Sequence, residues 1–265
     1  MIKKASSKVG RKMMDFILEA CVDSVESAIE AKKGGAMRLE LCSDLIVGGT
    51  SPSLALYELV KEATKMKVHV LIRPRAGDFC YSQYEFRRMC REVELFKHAG
   101  ADGVVIGMLK PDGTLDMQHM QELIKIAGNM HITLHRAFDM SKNPYETLEQ
   151  AKKLGIQTIL TSGQQNHCID GAQLLKELVE LSANQIDIMV GSGVNENNIE
   201  ELIDRTQAHT FHLSGKKRHD SPMVYRKEQV TMGSKYIDEY AYWVTDSEKI
   251  RKVYTSLENK LKKRI

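Results

Sequence analysis

Two short segments pair a carboxylate with a thiol in the same rhythm: EAC at Glu19 to Cys21, and ELC at Glu40 to Cys42. In an extended strand, residues two apart share a face, so each Glu lies beside its Cys. If the two strands are neighbours, the sulfurs of Cys21 and Cys42 stand about 5 Å apart. Such a pair could bind a soft ion such as Cu(I). The plain alternative is that both are small core hydrophobes, the commonest fate of a buried Cys. A second stretch, VLIRPRAGDFCYS (70–82), ends an apolar run with Arg73, Arg75 and Asp78. A third, LHRAFD, supplies His135, Arg136 and Asp139. Arginines here would hold a carboxylate or phosphate through paired hydrogen bonds, and His135 or a Glu would move a proton. Ser-Gly turns further on, with Ser192, Gly193 and Ser214, offer backbone N–H groups to an anion.

These groups need a scaffold that brings them together. Short apolar runs predict strands at 16–22, 37–42, 68–72, 103–109, 132–136, 158–161, 186–190 and 210–213. Helical spacing fills the intervals, at 54–63, 83–99, 117–127, 144–154, 171–182 and 196–204, with Asp23 as the expected N-cap of the first helix. Eight strand–helix alternations imply parallel crossovers and a closed (β/α)8 TIM barrel. Every polar group named above then falls at a strand's carboxyl end, where barrels place their ligands. A Glu within a buried run needs a partner. Glu19 and Glu40 are therefore expected to meet Arg73 or Arg136. The segment 214–234 reads as a long polar loop. The tail from Tyr236 reads as helical, with Tyr236, Tyr240, Tyr242 and Trp243 capping a barrel end or an interface.

The chain has 265 residues, which suits one barrel domain over 15–265 behind a loose basic tail, 1–14. Apolar residues make up 42% and charged residues 28%, and the net charge is +3. These are the proportions of a soluble globular protein. No basic run is interleaved with stacking aromatics, so nucleic acid is excluded as a partner. No apolar stretch reaches the ~20 residues that span a bilayer. Five Cys without close spacing, and no secretory leader, read as free thiols in a reducing cytosol.

Several long motifs occur in one order: EACVDSVESA (19–28), RLELC (38–42), GGTSPS (48–53), IRPRAGDFCYS (72–82), HRAFDM (135–140), LTSG (160–163) and SPMVYR (221–226). Together they resemble the CutC copper homeostasis proteins. The resemblance implies a TIM barrel, a cytoplasmic protein and a homo-oligomer, dimer or tetramer. It also implies a link to copper, with Cys21 and Cys42 as the Cu(I) ligands and no organic cofactor. The competing expectation is an isomerase or lyase that binds a small anionic metabolite with Glu19, Glu40, Arg73, His135, Arg136 and Asp139, in a mouth that also holds His212. No Lys stands at a strand end for Schiff-base chemistry.

Overall fold

The computed structural model describes residues 16–232 and 237–261. The expected tail, 1–14, and Tyr236 lie outside the described residues. Eight parallel strands close into a barrel: β1 (Ile17–Val22), β2 (Arg38–Leu41), β3 (Val68–Leu71), β4 (Gly103–Ile106), β5 (His131–Leu134), β6 (Thr158–Thr161), β7 (Asp187–Val190) and β8 (Thr210–Leu213). The ring is sealed where β8 pairs with β1, from Ile17↔Thr210 to Ala20↔Leu213.

Helices α1 (Val25–Gly34), α2 (Leu54–Thr64), α3 (Gln83–His98), α4 (Met117–Ala127), α5 (Pro144–Lys153), α6 (Ala172–Ser182) and α7 (Ile199–Thr206) fill the crossovers. Their starts are written in local chemistry. Ser53 accepts from the amide of Leu56, Ser82 and Glu85 form a reciprocal capping box, and Asn143 caps a helix whose first residue is Pro144. The cap of α1 is Ser24, whose hydroxyl accepts from Ser27, rather than the expected Asp23. Helix α7 starts three residues later than expected. Asn195 and Asn198 tie 195–198 into a turn through Asn195 N–H to Asn198 Oδ1 and Asn197 N–H to Asn195 Oδ1.

The larger departure follows β8. The expected polar loop contains a strand, β9 (Lys216–Asp220), paired antiparallel with β10 (Ala241–Thr245). The tail is therefore extended before it is helical, and only α8 (Ser247–Leu261) is a helix, packed on α1 and α7. Tyr242 and Trp243 sit on this exposed ribbon, with the Lys216 ammonium 5.2 Å from the centre of the Trp243 ring.

Alternation along the strands sorts the barrel into two environments. Leu18, Ala20, Val22, Leu39, Leu41, Val70, Val104 and Ile106 belong to the main core under the helices. The opposite parity fills the barrel's inside. There Cys21, Cys42, Leu71 and Val105 form a small separate apolar cluster among many polar groups. That second set makes the site.

Candidate functional site

At the bottom of the barrel mouth, Glu19 is fully buried and takes hydrogen bonds from Arg38 and from His212 Nδ1, the latter at 2.9 Å. His69 Nδ1 lies 3.9 Å away. Burial pushes the Glu19 carboxyl up, but the Arg38 charge and the His212 bond outweigh it and hold the pKa well below the usual carboxylate range. Its partner is thus Arg38, the first residue of β2, and neither of the two arginines expected. The signal was available: Arg38 and Glu40 share strand parity, and the register sets Glu19 opposite Arg38.

One step up, Cys21 Sγ lies 3.8 Å from Cys42 Sγ and 3.4 Å from Glu40 Oε1. The ligand atoms of Cys21, Glu40 and His212 all fall within 4.8 Å of one another. These three line a cavity of about 480 Å³ that opens at the carboxyl ends of the strands, whereas Cys42 sits behind them, fully buried. His212 was expected in the mouth but not beside the sulfur. Closure of β8 onto β1 is what brings it there.

Electrostatically the two thiols of this cluster are held protonated. The hydrogen bond with Cys42, burial and the Glu40 carboxyl push the Cys21 thiol well up. In Cys42 the bond from Cys21 favours the thiolate, but burial and nearby acids win and raise it as well. Burial pushes Glu40 up, and the Glu19 charge adds to that. His212 goes the other way: burial disfavours its charge, yet the Glu40, Cys21 and Glu19 groups raise it well above an ordinary histidine. One oxygen of Glu40, Oε2, has no hydrogen-bond partner among the described residues.

The remaining candidates stand higher in the mouth. Arg73 lines the cavity, but its guanidinium is committed to the carbonyls of Gly49 at 2.8 Å, Gly77 at 2.9 Å and Val47 at 3.1 Å. It fastens the loop after β2 to the loop after β3. Arg75 and Asp78 bond to each other at 3.0 Å outside the cavity. His135 is buried in the cavity wall, its Nδ1 accepting the Ala137 amide at 3.1 Å. Gly107 makes room for that ring, since a Cβ there would lie 2.5 Å from His135 Cε1. Arg136 and Asp139 belong to a 3-10 turn after β5 rather than to the strand. Asp139 organises the next loop, accepting from Arg136 Nε, Thr161 Oγ1 and the amides of Ser162 and Gln164. Ser192, Gly193 and Ser214 line the cavity, and the Ser192 hydroxyl donates to the Asn166 carbonyl at 2.7 Å.

Comparison with known proteins agrees with the sequence motifs. The CutC family's sequence profile matches residues 16–217. The chain belongs to the CutC family. Relatives named copper homeostasis protein cutC homolog, from Mus musculus and Homo sapiens, are 40% and 41% identical over 237 residues, covering 89% of this chain and 87% of each relative. A CutC protein of Bacteroides thetaiotaomicron is 42% identical over 90% of this chain and 96% of its own. A solved CutC structure from Streptococcus agalactiae superposes with a TM-score of 0.72 at 29% identity, over 75% of this chain and 98% of that one. The thiamine phosphate pyrophosphorylase of Pyrococcus furiosus shares the barrel alone, at a TM-score of 0.56 and 17% identity.

Proposed function

We propose that this CutC protein is a copper homeostasis protein that binds Cu(I) in the floor of its barrel mouth. The observation that carries the reading is the donor set: Cys21 Sγ, Glu40 and His212 within 4.8 Å of one another, with Cys42 Sγ 3.8 Å from Cys21. Two sulfurs and an imidazole are soft and borderline donors that suit Cu(I). Their surroundings suit a metal too. Metal-binding histidines commonly give their second ring N–H to a carboxylate that fixes the ring, and Glu19 holds His212 Nδ1 in that way, itself anchored by Arg38. The unpartnered Glu40 Oε2 is a further oxygen in reach of a cation. The Cys21 and Cys42 thiols are held in their protonated form, so binding displaces protons and strengthens as pH rises.

The names of the mouse and human relatives support the copper assignment. Five free cysteines, two of them in contact and unbridged, fit a reducing cytoplasm. No helix among the described residues is long and apolar enough to cross a membrane. A homo-oligomer is the assembly we propose, supported by apolar residues Val224, Tyr225 and Met232 exposed on the segment between β9 and β10. The enzyme alternative is weaker at its clamp, because Arg73 is occupied by backbone carbonyls.

The test is anaerobic Cu(I) titration against a competing chelator, with Zn(II) in parallel. The expected result is about one Cu(I) per chain, lost in Cys21→Ser and weakened in Cys42→Ser. Unchanged Cu(I) affinity in the double Ser variant rules the site out.

A further inference from the structure

Above the thiols the cavity changes character. Among the described residues Glu40 is its sole acidic lining residue, against the cations Arg73, Arg136 and Lys216. Arg136 directs Nε to Asp139 and Nη2 to Ser162 and Gln165, and its Nη1 has no partner among the described residues. The group that points to a ligand is His135. The residue is only 4% exposed, and Nδ1 accepts the Ala137 amide, so the ring proton sits on Nε2. Burial, with the Arg73 charge, holds its pKa down at about 3, so the ring is neutral. That buried Nε2–H has no acceptor among the described residues. An unmade hydrogen bond of this kind is costly, and an acceptor atom entering from the cavity relieves it.

A second observation lies across the same cavity. Ser192 and Gly193 are both left-handed, at φ 73° and 91°. The amides of Ser192, Gly193 and Val194, all in the lining, donate to no other group among the described residues. Successive free amides in such a bend form a concavity that suits an anion.

We propose that the upper mouth binds a small oxyanion, a phosphate or carboxylate group. It is held by the His135 Nε2–H, the Ser192–Val194 amides and the charges of Arg136 and Lys216. This site is separate from the thiol floor and does not depend on copper.

The experiment uses the full-length, copper-free protein, titrated with inorganic phosphate and, in a second arm, with malonate. Sodium chloride at matched ionic strength is the control. Calorimetry reads affinity, and amide resonances report the location. The expected result is saturable binding of at least one anion, with the Ser192–Val194 amides shifting. Affinity falls about tenfold or more in Arg136→Gln, the loss of one charge-assisted contact. His135→Phe gives a fall of similar size, and the half-buried Arg136 variant carries the test if the His135 variant does not fold. Binding of phosphate alone assigns the ligand to phosphorylated molecules, and binding of malonate alone to carboxylates. No saturable binding of either anion overturns the proposal. So does binding that Arg136→Gln and Lys216→Gln both leave unchanged. Because the protein carries no copper, failure here leaves the Cu(I) assignment standing, and failure of Cu(I) binding leaves this one standing.

Discussion

Replacing Glu19 with Gln separates two roles that the structure gives to one carboxylate. Glu19 neutralises Arg38 in a site where neither group reaches water, and it holds the ring of His212. Gln keeps the shape and removes the charge. Arg38 is then left with Met189 Sδ, at 3.5 Å, as its other contact. Breaking a buried pair by removing one member costs about 3–5 kcal/mol. Native domains hold about 5–15 kcal/mol in all, so the variant should be folded but fragile. Urea denaturation at neutral pH measures this. Adding Arg38→Met should restore much of the loss, because a neutral, similarly sized neighbour no longer strands a charge. The second role should not return with it. Without the carboxylate, His212 loses a partner that raises its pKa and fixes its ring, so its titration moves down and Cu(I) affinity falls about 10–100-fold in single and double variants alike. A cost below about 1 kcal/mol for Glu19→Gln, or a double variant no more stable than the single, would refute the reasoning about the buried pair.

Two further outcomes follow from the packing and the titrating groups. Gly107→Ala should cost about 1–3 kcal/mol by overpacking, since the new methyl meets His135 Cε1 and Nδ1 at 2.5 and 2.6 Å; an unchanged melting temperature contradicts the close approach. Burial lowers His69, His131 and His135 to about 3, 4 and 3 from 6.5. Below pH 6.5 the unfolded chain therefore binds protons that the folded chain refuses, and stability falls as pH drops. His212, whose folded pKa is raised, works in the opposite sense: its contribution is present below 6.5 and is lost at high pH. With three groups against one, the urea midpoint should decline between pH 7 and 5, and a flat or rising midpoint would count against the three neutral rings.

The barrel was legible because its strands are short apolar runs, some cut off by Gly-containing turns, and because five helices begin at recognisable side-chain caps. The ends were less so. HITL followed by His135 and Arg136 reads as one strand, but the backbone turns at His135, which caps the 3-10 turn with its own ring nitrogen. The ribbon was hidden on one side only: Lys216–Asp220 (KKRHD) has no apolar alternation to announce a strand, whereas AYWVT at Ala241–Thr245 is rich in strand formers and could have been recognised. At the site, strand parity predicted which residues face inward. It did not predict which inward residues touch, because that depends on register and on ring closure. In the sequence Arg38 reads only as the start of a strand, and nothing in the spacing links His212 to Cys21.

The seam between β8 and β1 has a consequence for when the protein can work. Glu19 and His212 are 193 positions apart in the chain and meet only across that seam. During synthesis the thiols of Cys21 and Cys42 emerge early, while the imidazole that completes their cluster is still unmade. A nascent chain thus offers loose sulfurs but no assembled pocket, and the Cys21–Glu40–His212 cluster exists only once the last strand has zipped onto the first.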